Sequence, residues 1–247
     1  MAGQRPRHGW GLGEVLVGFF ASQVVSLIAL VLVSGVAARG TALAVTVAEA
    51  ASGARYVVLS GQPLASQALV QVPLWATQLA TVGYAARGKG DGWQVEVGLA
   101  HRWTDPLLGL AGGVVAQLGV AALYGFGRLL GIRPDVEGPA RELTGRAAGI
   151  GVLSLFLLFA VAAPVVEELF FRGLLLRSLE TKLPRRLALP LSAILFAAAH
   201  FQLVQLPGLV VAGLVFGFLA QSRDRLGPSM WAHATFNALT VANLVWG

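Results

Sequence analysis

The chain has 247 residues, of which 56% are hydrophobic and only 12% are charged, and its formal net charge is +6. Soluble domains are typically about a quarter charged, so this composition, with a mean hydropathy of +0.72, excludes an ordinary soluble protein and indicates a polytopic membrane protein. The absence of cysteine excludes disulfides, thiolate metal sites and a cysteine nucleophile. The basic excess is typical of cytoplasmic loops and of contact with anionic lipid, so we expect no nucleic-acid partner.

Apolar segments of membrane-spanning length follow one another along the chain. They are predicted at 15–37, 64–86, 106–126, from 147 into the polar motif at 163–172, and at 187–204, 207–221 and 229–246. The first is longer than the roughly 7–15 apolar residues of a signal peptide, so we predict an uncleaved helix. Residues 38–63 are predicted to form a loop, in which Thr41–Ala51 is compatible with an interfacial helix. The expected fold is an all-α membrane bundle of about seven, or eight, transmembrane helices in a single domain over 1–247.

The distribution of lysine and arginine predicts the orientation of this bundle. Three connections, 87–106, 172–186 and 222–228, are rich in these residues and would lie on the cytoplasmic side. The basic loop 127–146 would then lie outside, which weakens the excess of lysine and arginine on the cytoplasmic side. We therefore expect a multi-pass protein of the plasma membrane with its N-terminus inside, and the Ala, Gly, Val, Leu and Arg bias is typical of a bacterial protein.

Two adjacent carboxylates directly follow a long uncharged stretch of the sequence. No charged residue occurs over Ala147–Val166, and Glu167 and Glu168 follow at once. Ionised groups inside a bilayer are costly, so their presence indicates a function. Glu168 and Arg172 are four residues apart and share a helix face, which predicts an ion pair, whereas Glu167 points about 100° away.

Two further predicted helices carry polar side chains at helical spacing. His200 follows Phe196 by four residues on the fifth segment, and Asn237 follows His233 by four residues on the seventh. The polar faces should converge, because the alternative exposes them to lipid. His233 is expected to be shallower than the others, which would require a tilted or late-starting helix.

Depth in the membrane makes a second prediction about the motif. His200 lies ~20 Å from the inner end of its predicted helix at 1.5 Å per residue. Glu167 reaches a similar depth, ~16 Å, only if its helix continues through Arg172 to about Ser178. We therefore predict an unbroken helix through the motif, with Arg172 buried beside Glu168.

The chemistry of this set points to hydrolysis. A carboxylate and a neutral imidazole can hold and deprotonate a water, and a second imidazole and an amide can donate hydrogen bonds to an oxyanion. The same groups could equally bind a divalent metal such as zinc through Glu167, His200 and His233. The usual zincin signature HExxH and the nucleophile motif GxSxG are both absent from the sequence.

Together these residues resemble the three motifs of the CAAX-protease and bacteriocin-processing (CPBP or Abi) family of intramembrane endopeptidases, which includes the type II CAAX prenyl endopeptidases. The motifs are Glu167-Glu168-x-x-x-Arg172, Phe196-x-x-x-His200 and His233-x-x-x-Asn237. The resemblance covers residues 145–245, which would be the catalytic core. The family handles prenylated CAAX ends in eukaryotes and leader or immunity-related peptides in bacteria.

The resemblance implies a role for each motif residue. Glu167 would be the general base that activates water, and His200 would help to hold that water. His233 and Asn237 would stabilise the oxyanion. The structural or orienting residues would be Glu168, Arg172 and Phe196. The family is labelled a metalloprotease, but a metal-free glutamate mechanism is also argued for it, so the expected cofactor is either a divalent metal or none. The expected partners are a peptide or protein substrate and the lipid bilayer.

Other readings of the same residues exist. A membrane transporter could use embedded Glu, His and Arg as a relay, but the two halves of the sequence show no internal repeat, which disfavours it. A non-catalytic scaffold would have no need of three polar motifs. Singly, the glutamates could be a solvated helix end and the histidines interhelical hydrogen bonds, and Trp75, Trp231 and Trp246 are predicted as interface anchors. The joint occurrence of the motifs favours the endopeptidase.

Overall fold

The computed structural model describes residues 9–37, 44–49, 55–60, 63–136, 138, 141 and 150–246. Its helices are α1 (Leu12–Ala37), α2 (Pro63–Gly83), α3 (Trp93–Glu96), α4 (Asp105–Leu129), α5 (Ile150–Glu180), α6 (Arg185–Ala198), α7 (Leu206–Arg223) and α8 (Gly227–Trp246). All but the short α3 coincide with the seven predicted segments, so the prediction of a helical membrane bundle is confirmed. By length and composition four of them, α1, α4, α5 and α7, could cross a membrane, and the count of seven or eight spans stays a prediction.

A two-stranded hairpin lies between α1 and α2. Strand β1 (Ala44–Glu49) pairs antiparallel with β2 (Arg55–Ser60), with Ala44 opposite Ser60. The prediction of a loop with an interfacial helix is wrong for these two segments, and the all-α class gains a small sheet. The physical reason is composition, because valine, threonine and tyrosine favour strands. The rest of 38–63 up to the start of α2 lies outside the described residues.

Helix α5 is continuous through the polar motif. It runs over 31 residues, ~46 Å, and contains two π-helical stretches, Phe156–Ala162 and Glu168–Leu176. The prediction of an unbroken helix to about Ser178 is confirmed. Pro164 follows the first π-helical stretch, and the clash between a proline ring and the preceding turn explains why the helix widens there. Glu167 therefore lies in the interior of the longest helix, about 20 Å or more from either end.

The core of the bundle surrounds the second half of α5. Phe170, Leu174 and Leu176 are buried against side chains from α1, α2, α6 and α7. On the outer faces, by contrast, α1 and α4 expose large apolar side chains such as Leu32 and Leu118. Exposed apolar faces of this kind are expected of helices that contact lipid.

Glycines bring α4 and α8 into close contact. A Cβ atom on Gly109 would collide with Trp231 and with the backbone of Ala232, and one on Gly113 would collide with Thr235. The GxxxG spacing of these two glycines predicts such close packing. The contact holds the helix that carries His233 against the rest of the bundle.

Gly109→Ala is therefore expected to lower the free energy of unfolding by about 1–3 kcal/mol, because the added methyl group overpacks the α4–α8 contact. Thermal unfolding of the detergent-purified protein measures the change. Gly125→Ala in the same helix is the matched control, since a Cβ atom there meets nothing within 4 Å. Equal losses in the two variants would show that close packing is not the cause.

Candidate active site

Glu168 and Arg172 form a buried ion pair inside α5. Arg172 Nη1 lies 2.7 Å from Glu168 Oε1, and the two side chains are 1% and 0% exposed. The guanidinium group lies over the rings of Phe196 and Phe216, at 4.2 and 5.5 Å from their centroids, and Nη2 donates to the carbonyl oxygen of Gly213 at 3.3 Å. The ion pair predicted from the i, i+4 spacing is present, and it connects α5 to α6 and α7.

Glu168 also fixes residues of α8. His233 Nδ1 lies 2.9 Å from Glu168 Oε1, and Ser229 donates its hydroxyl hydrogen to Oε2. Phe216 stacks on the imidazole of His233 with the ring centroids 4.7 Å apart. Sequence reasoning missed both Ser229 and Phe216. Ser229 could have been found, because it lies one helical turn before His233, whereas Phe216 carries no signal that separates it from other apolar residues of α7.

Glu167 faces the opposite way, between two imidazoles. Its Oε2 atom lies 3.9 Å from His200 Nε2 and 3.8 Å from His233 Nε2. Both separations exceed a direct hydrogen bond, and a bridging water fits such a gap. The three predicted polar faces therefore converge on one carboxylate oxygen.

His200 lies in a turn beyond the end of its helix. Helix α6 ends at Ala198, and Phe201 has a positive φ of 53°. The prediction that a helix carries His200 is wrong, because the chain tightens into i→i+3 hydrogen bonds at Ala197–His200 and reverses at Phe201. The ring is nevertheless held, since Nδ1 lies 2.8 Å from the carbonyl oxygen of Phe196. A carbonyl only accepts, so Nδ1 carries the proton and the neutral ring presents Nε2 as an acceptor.

His233 lies level with Glu167, so the expectation of a shallower position is wrong. The physical reason is the anchoring of the turn before α8. Arg225 makes a buried ion pair with Asp105, with Nη2 to Oδ1 at 2.6 Å, and Leu226 N donates to the carbonyl oxygen of Gly98 at 2.8 Å. Helix α8 begins directly after this turn, and its second turn reaches the site.

Asn237 is held by a carbonyl group that Pro164 leaves without a helical donor. In the first π-helical stretch of α5, Ala163 N–H donates to Leu158 O, an i→i+5 bond. The next carbonyl, that of Phe159, would need the N–H of Pro164, which proline lacks. Asn237 Nδ2 supplies it at 2.7 Å. One amide hydrogen of Asn237 is used in this way, and the side chain lies one turn beyond His233.

The four residues predicted as catalytic line one cavity of about 550 Å³. They are Glu167, His200, His233 and Asn237. The other walls are made of apolar and amide side chains from α1, α2, α4 and α7, and the volume lies in the range of ligand sites. The predicted orienting residues Glu168 and Arg172 lie behind this wall, and Phe196 lies edge-on to both imidazoles, at 4.8 and 5.8 Å.

The predicted metal site does not fit the structure. Within the described ranges, no group of three or more His, Asp or Glu side chains has an arrangement that could hold a metal ion. The set Glu167, His200 and His233 therefore does not qualify on the arrangement of its donor atoms.

The fold and the site define a class of protein. It is a multi-pass membrane protein whose helices line a cavity in which one carboxylate lies between two imidazoles. Residues 149–239 match the family model of the type II CAAX prenyl endopeptidase Rce1-like proteins. The match includes all three motifs and supports an assignment to the CPBP/CAAX protease family, the family that the motifs indicate. The family is one of CAAX-type intramembrane proteases, which implies a peptide substrate at the bilayer. Searches of curated proteins and of solved structures found no match.

Proposed function

We propose that this chain is an intramembrane endopeptidase that hydrolyses a peptide bond near the cytoplasmic membrane face with a water activated by Glu167. The observation that carries the proposal is the position of Glu167 Oε2, 3.9 Å from His200 Nε2 and 3.8 Å from His233 Nε2 on the cavity wall. A water between these groups can give its proton to the carboxylate and keep a hydrogen bond to the neutral imidazole of His200.

The reaction then follows from the residues around that water. Glu167 accepts a proton as the water oxygen attacks the substrate carbonyl carbon, and the carbonyl oxygen becomes an oxyanion. His233 and Asn237 donate hydrogen bonds to it. When the C–N bond breaks, protonated Glu167 returns the proton to the leaving amine, so the carboxylate is regenerated.

The buried ion pair behind the cavity wall supports the oxyanion role of His233. Because Nδ1 of His233 is held by the carboxylate of Glu168, its Nε2 becomes a donor when the ring is doubly protonated. Arg172 balances the charge of Glu168 in turn. We propose that Glu168 and Arg172 orient His233 rather than touch substrate.

The proposed substrate is a CAAX-type or leader-peptide-type chain, and residues 145–245 form the proposed catalytic core. The Lys and Arg distribution supports an N-terminus inside the plasma membrane. A relay in a transporter would use the same residues, but the family match gives it no support.

A quenched fluorogenic peptide library tests the proposal on the purified protein. We expect the wild-type protein to cleave a subset of the library, and Glu167→Ala to cleave none while folding and inserting normally. The assay is run with and without chelator, and loss of activity with chelator would show that a metal is required. Cleavage by Glu167→Ala at the wild-type rate would contradict the proposed mechanism, and substrate counterflow in proteoliposomes without peptidase activity would favour the transporter.

A further inference from the structure

Two side chains of α2 that line the cavity each contain a buried polar atom whose hydrogen bond is not made by any residue that the structure describes. The atoms are Trp75 Nε1 and Gln78 Oε1. Trp75 is 6% exposed and Gln78 is 3% exposed, and both side chains line the cavity that contains Glu167. Trp75 was predicted as an interface anchor, and the structure instead places it inside the bundle.

Unpartnered buried donors and acceptors are rare in native proteins, because each retains the cost of leaving water. Such a pair in a cavity wall indicates that a ligand completes the hydrogen bonds. One of the two groups is a hydrogen-bond donor and the other an acceptor, since an indole Nε1–H only donates and an amide Oε1 only accepts. A peptide main chain offers the complementary groups, one carbonyl oxygen and one N–H per residue.

Helix α2 places both side chains on the wall of the cavity that Glu167 also lines. Residues 75 and 78 are three apart and share one face of the helix. The ring of Trp75 packs against Ala163 and Val166 of α5, and these two residues lie within the turn before Glu167. In an extended chain, the N–H and C=O of one residue can both face the same neighbour, so this face of α2 can bind both groups of a single substrate residue.

We propose that Trp75 and Gln78 bind the main chain of the peptide substrate in an extended form, with Trp75 Nε1 donating to a carbonyl oxygen and Gln78 Oε1 accepting from an N–H. The inference rests on the proposed endopeptidase function and adds how the substrate is held. Main-chain recognition of this kind positions the scissile bond at Glu167 with little dependence on the substrate side chains.

Gln78→Met tests the inference, because it keeps the size of the side chain and removes the acceptor. With the library peptide that the wild-type protein cleaves best, we expect KM to rise about tenfold, the effect of one hydrogen bond. We expect kcat to be unchanged, because the lost hydrogen bond stabilises the bound substrate and the transition state equally. The unfolding temperature should stay the same or rise, because an unpartnered buried acceptor is removed. Trp75→Phe, which keeps most of the ring packing and removes Nε1–H, is expected to raise KM similarly.

Peptide analogues locate the contact on the substrate. Replacing each N–H of the peptide by an ester oxygen in turn should weaken cleavage by the wild-type protein about tenfold at one position near the scissile bond. For Gln78→Met, the ester at that position should cause no further loss of cleavage. Thr77→Val is the matched control, since the Thr77 hydroxyl donates to the carbonyl oxygen of Pro73 at 2.9 Å within α2, and its KM is expected to equal that of the wild-type protein.

The possible results separate this inference from the proposed function. Wild-type cleavage together with an unchanged KM in Gln78→Met overturns the inference and leaves the endopeptidase in place. A raised KM accompanied by a lower kcat and a lower unfolding temperature shows a structural role and also overturns it. Failure of the wild-type protein to cleave any library peptide overturns the proposed function, and the inference with it.

Discussion

Glu167→Gln is expected to lower kcat for peptide hydrolysis by about 10²–10⁴-fold, the usual contribution of a positioned general base. The amide has the size of the carboxylate but cannot accept the proton of the attacking water. The ring nitrogens that face Glu167 Oε2 lie 3.8 and 3.9 Å away, so the substitution breaks no direct hydrogen bond to them. We therefore expect KM and the unfolding temperature to change little.

The neighbouring substitution Glu168→Gln provides the contrast for that measurement. Glu168 is fully buried and binds Arg172, His233 and Ser229, so neutralising it leaves the guanidinium group without its counter-charge. We expect a clear fall in the unfolding temperature, which Glu167→Gln does not show. Progress curves give kcat, and thermal unfolding in detergent gives stability. A Glu167→Gln variant with more than one tenth of wild-type kcat would rule out Glu167 as the base.

The helices and the ion pair could be predicted from the sequence because each depends on local spacing. Apolar runs of membrane length must form helices, since lipid offers no partner for the backbone. The four-residue separation of Glu168 and Arg172 places them on one face wherever the helix lies. The convergence of His200 and His233 on Glu167 could also be predicted, because exposing polar side chains to lipid is costly and polar helix faces therefore meet inside the bundle.

The depth and the ends of the helices could not be predicted, because tertiary contacts decide them. The depth of His233 in the bundle depends on the ion pair between Arg225 and Asp105, which are 120 residues apart in sequence. Helix α6 ends before His200 at a left-handed Phe201, and phenylalanine is not a residue that usually marks such a position. The strands of the hairpin carry a local signal in their β-branched residues, but that signal was weaker than the expectation of a helical membrane protein.

Sequence also cannot show that Trp75 Nε1 and Gln78 Oε1 have no hydrogen-bond partner among the residues that the structure describes. A tryptophan and a glutamine three residues apart on an apolar helix are compatible with an interface, a packed core or a cavity. Only the packing of Trp75 on Ala163 and Val166 decides between them. The candidate site therefore divides into charged groups, which sequence spacing reveals, and the uncharged side chains of the cavity wall, which only the fold reveals.

Arg172→Met is expected to lower the free energy of unfolding by about 3–5 kcal/mol, because it leaves the carboxylate of Glu168 buried without its cation. The side chains of the pair are 1% and 0% exposed, so water cannot take the place of the guanidinium group. Methionine fits the stem of the arginine but also loses the contact with the ring of Phe196. Denaturant unfolding of the detergent-purified protein measures the loss. Arg141→Met is the control, since its ion pair with Asp135 is 57% and 44% exposed and should contribute less than about 1 kcal/mol.

The double variant with Glu168→Gln and Arg172→Met distinguishes charge from packing. Removing both members of a buried pair removes the uncompensated charge, so we expect the double variant to recover part of the stability that Arg172→Met loses. The amide oxygen of a glutamine at 168 can still accept from His233 Nδ1, and its NH₂ group can donate to the hydroxyl oxygen of Ser229, which keeps α8 in place. Hydrolysis should nevertheless remain slow, because a neutral amide holds the His233 ring less firmly than a carboxylate does. If the double variant is no more stable than Arg172→Met alone, the loss arises from packing against Phe196 and Phe216 and not from the buried charge.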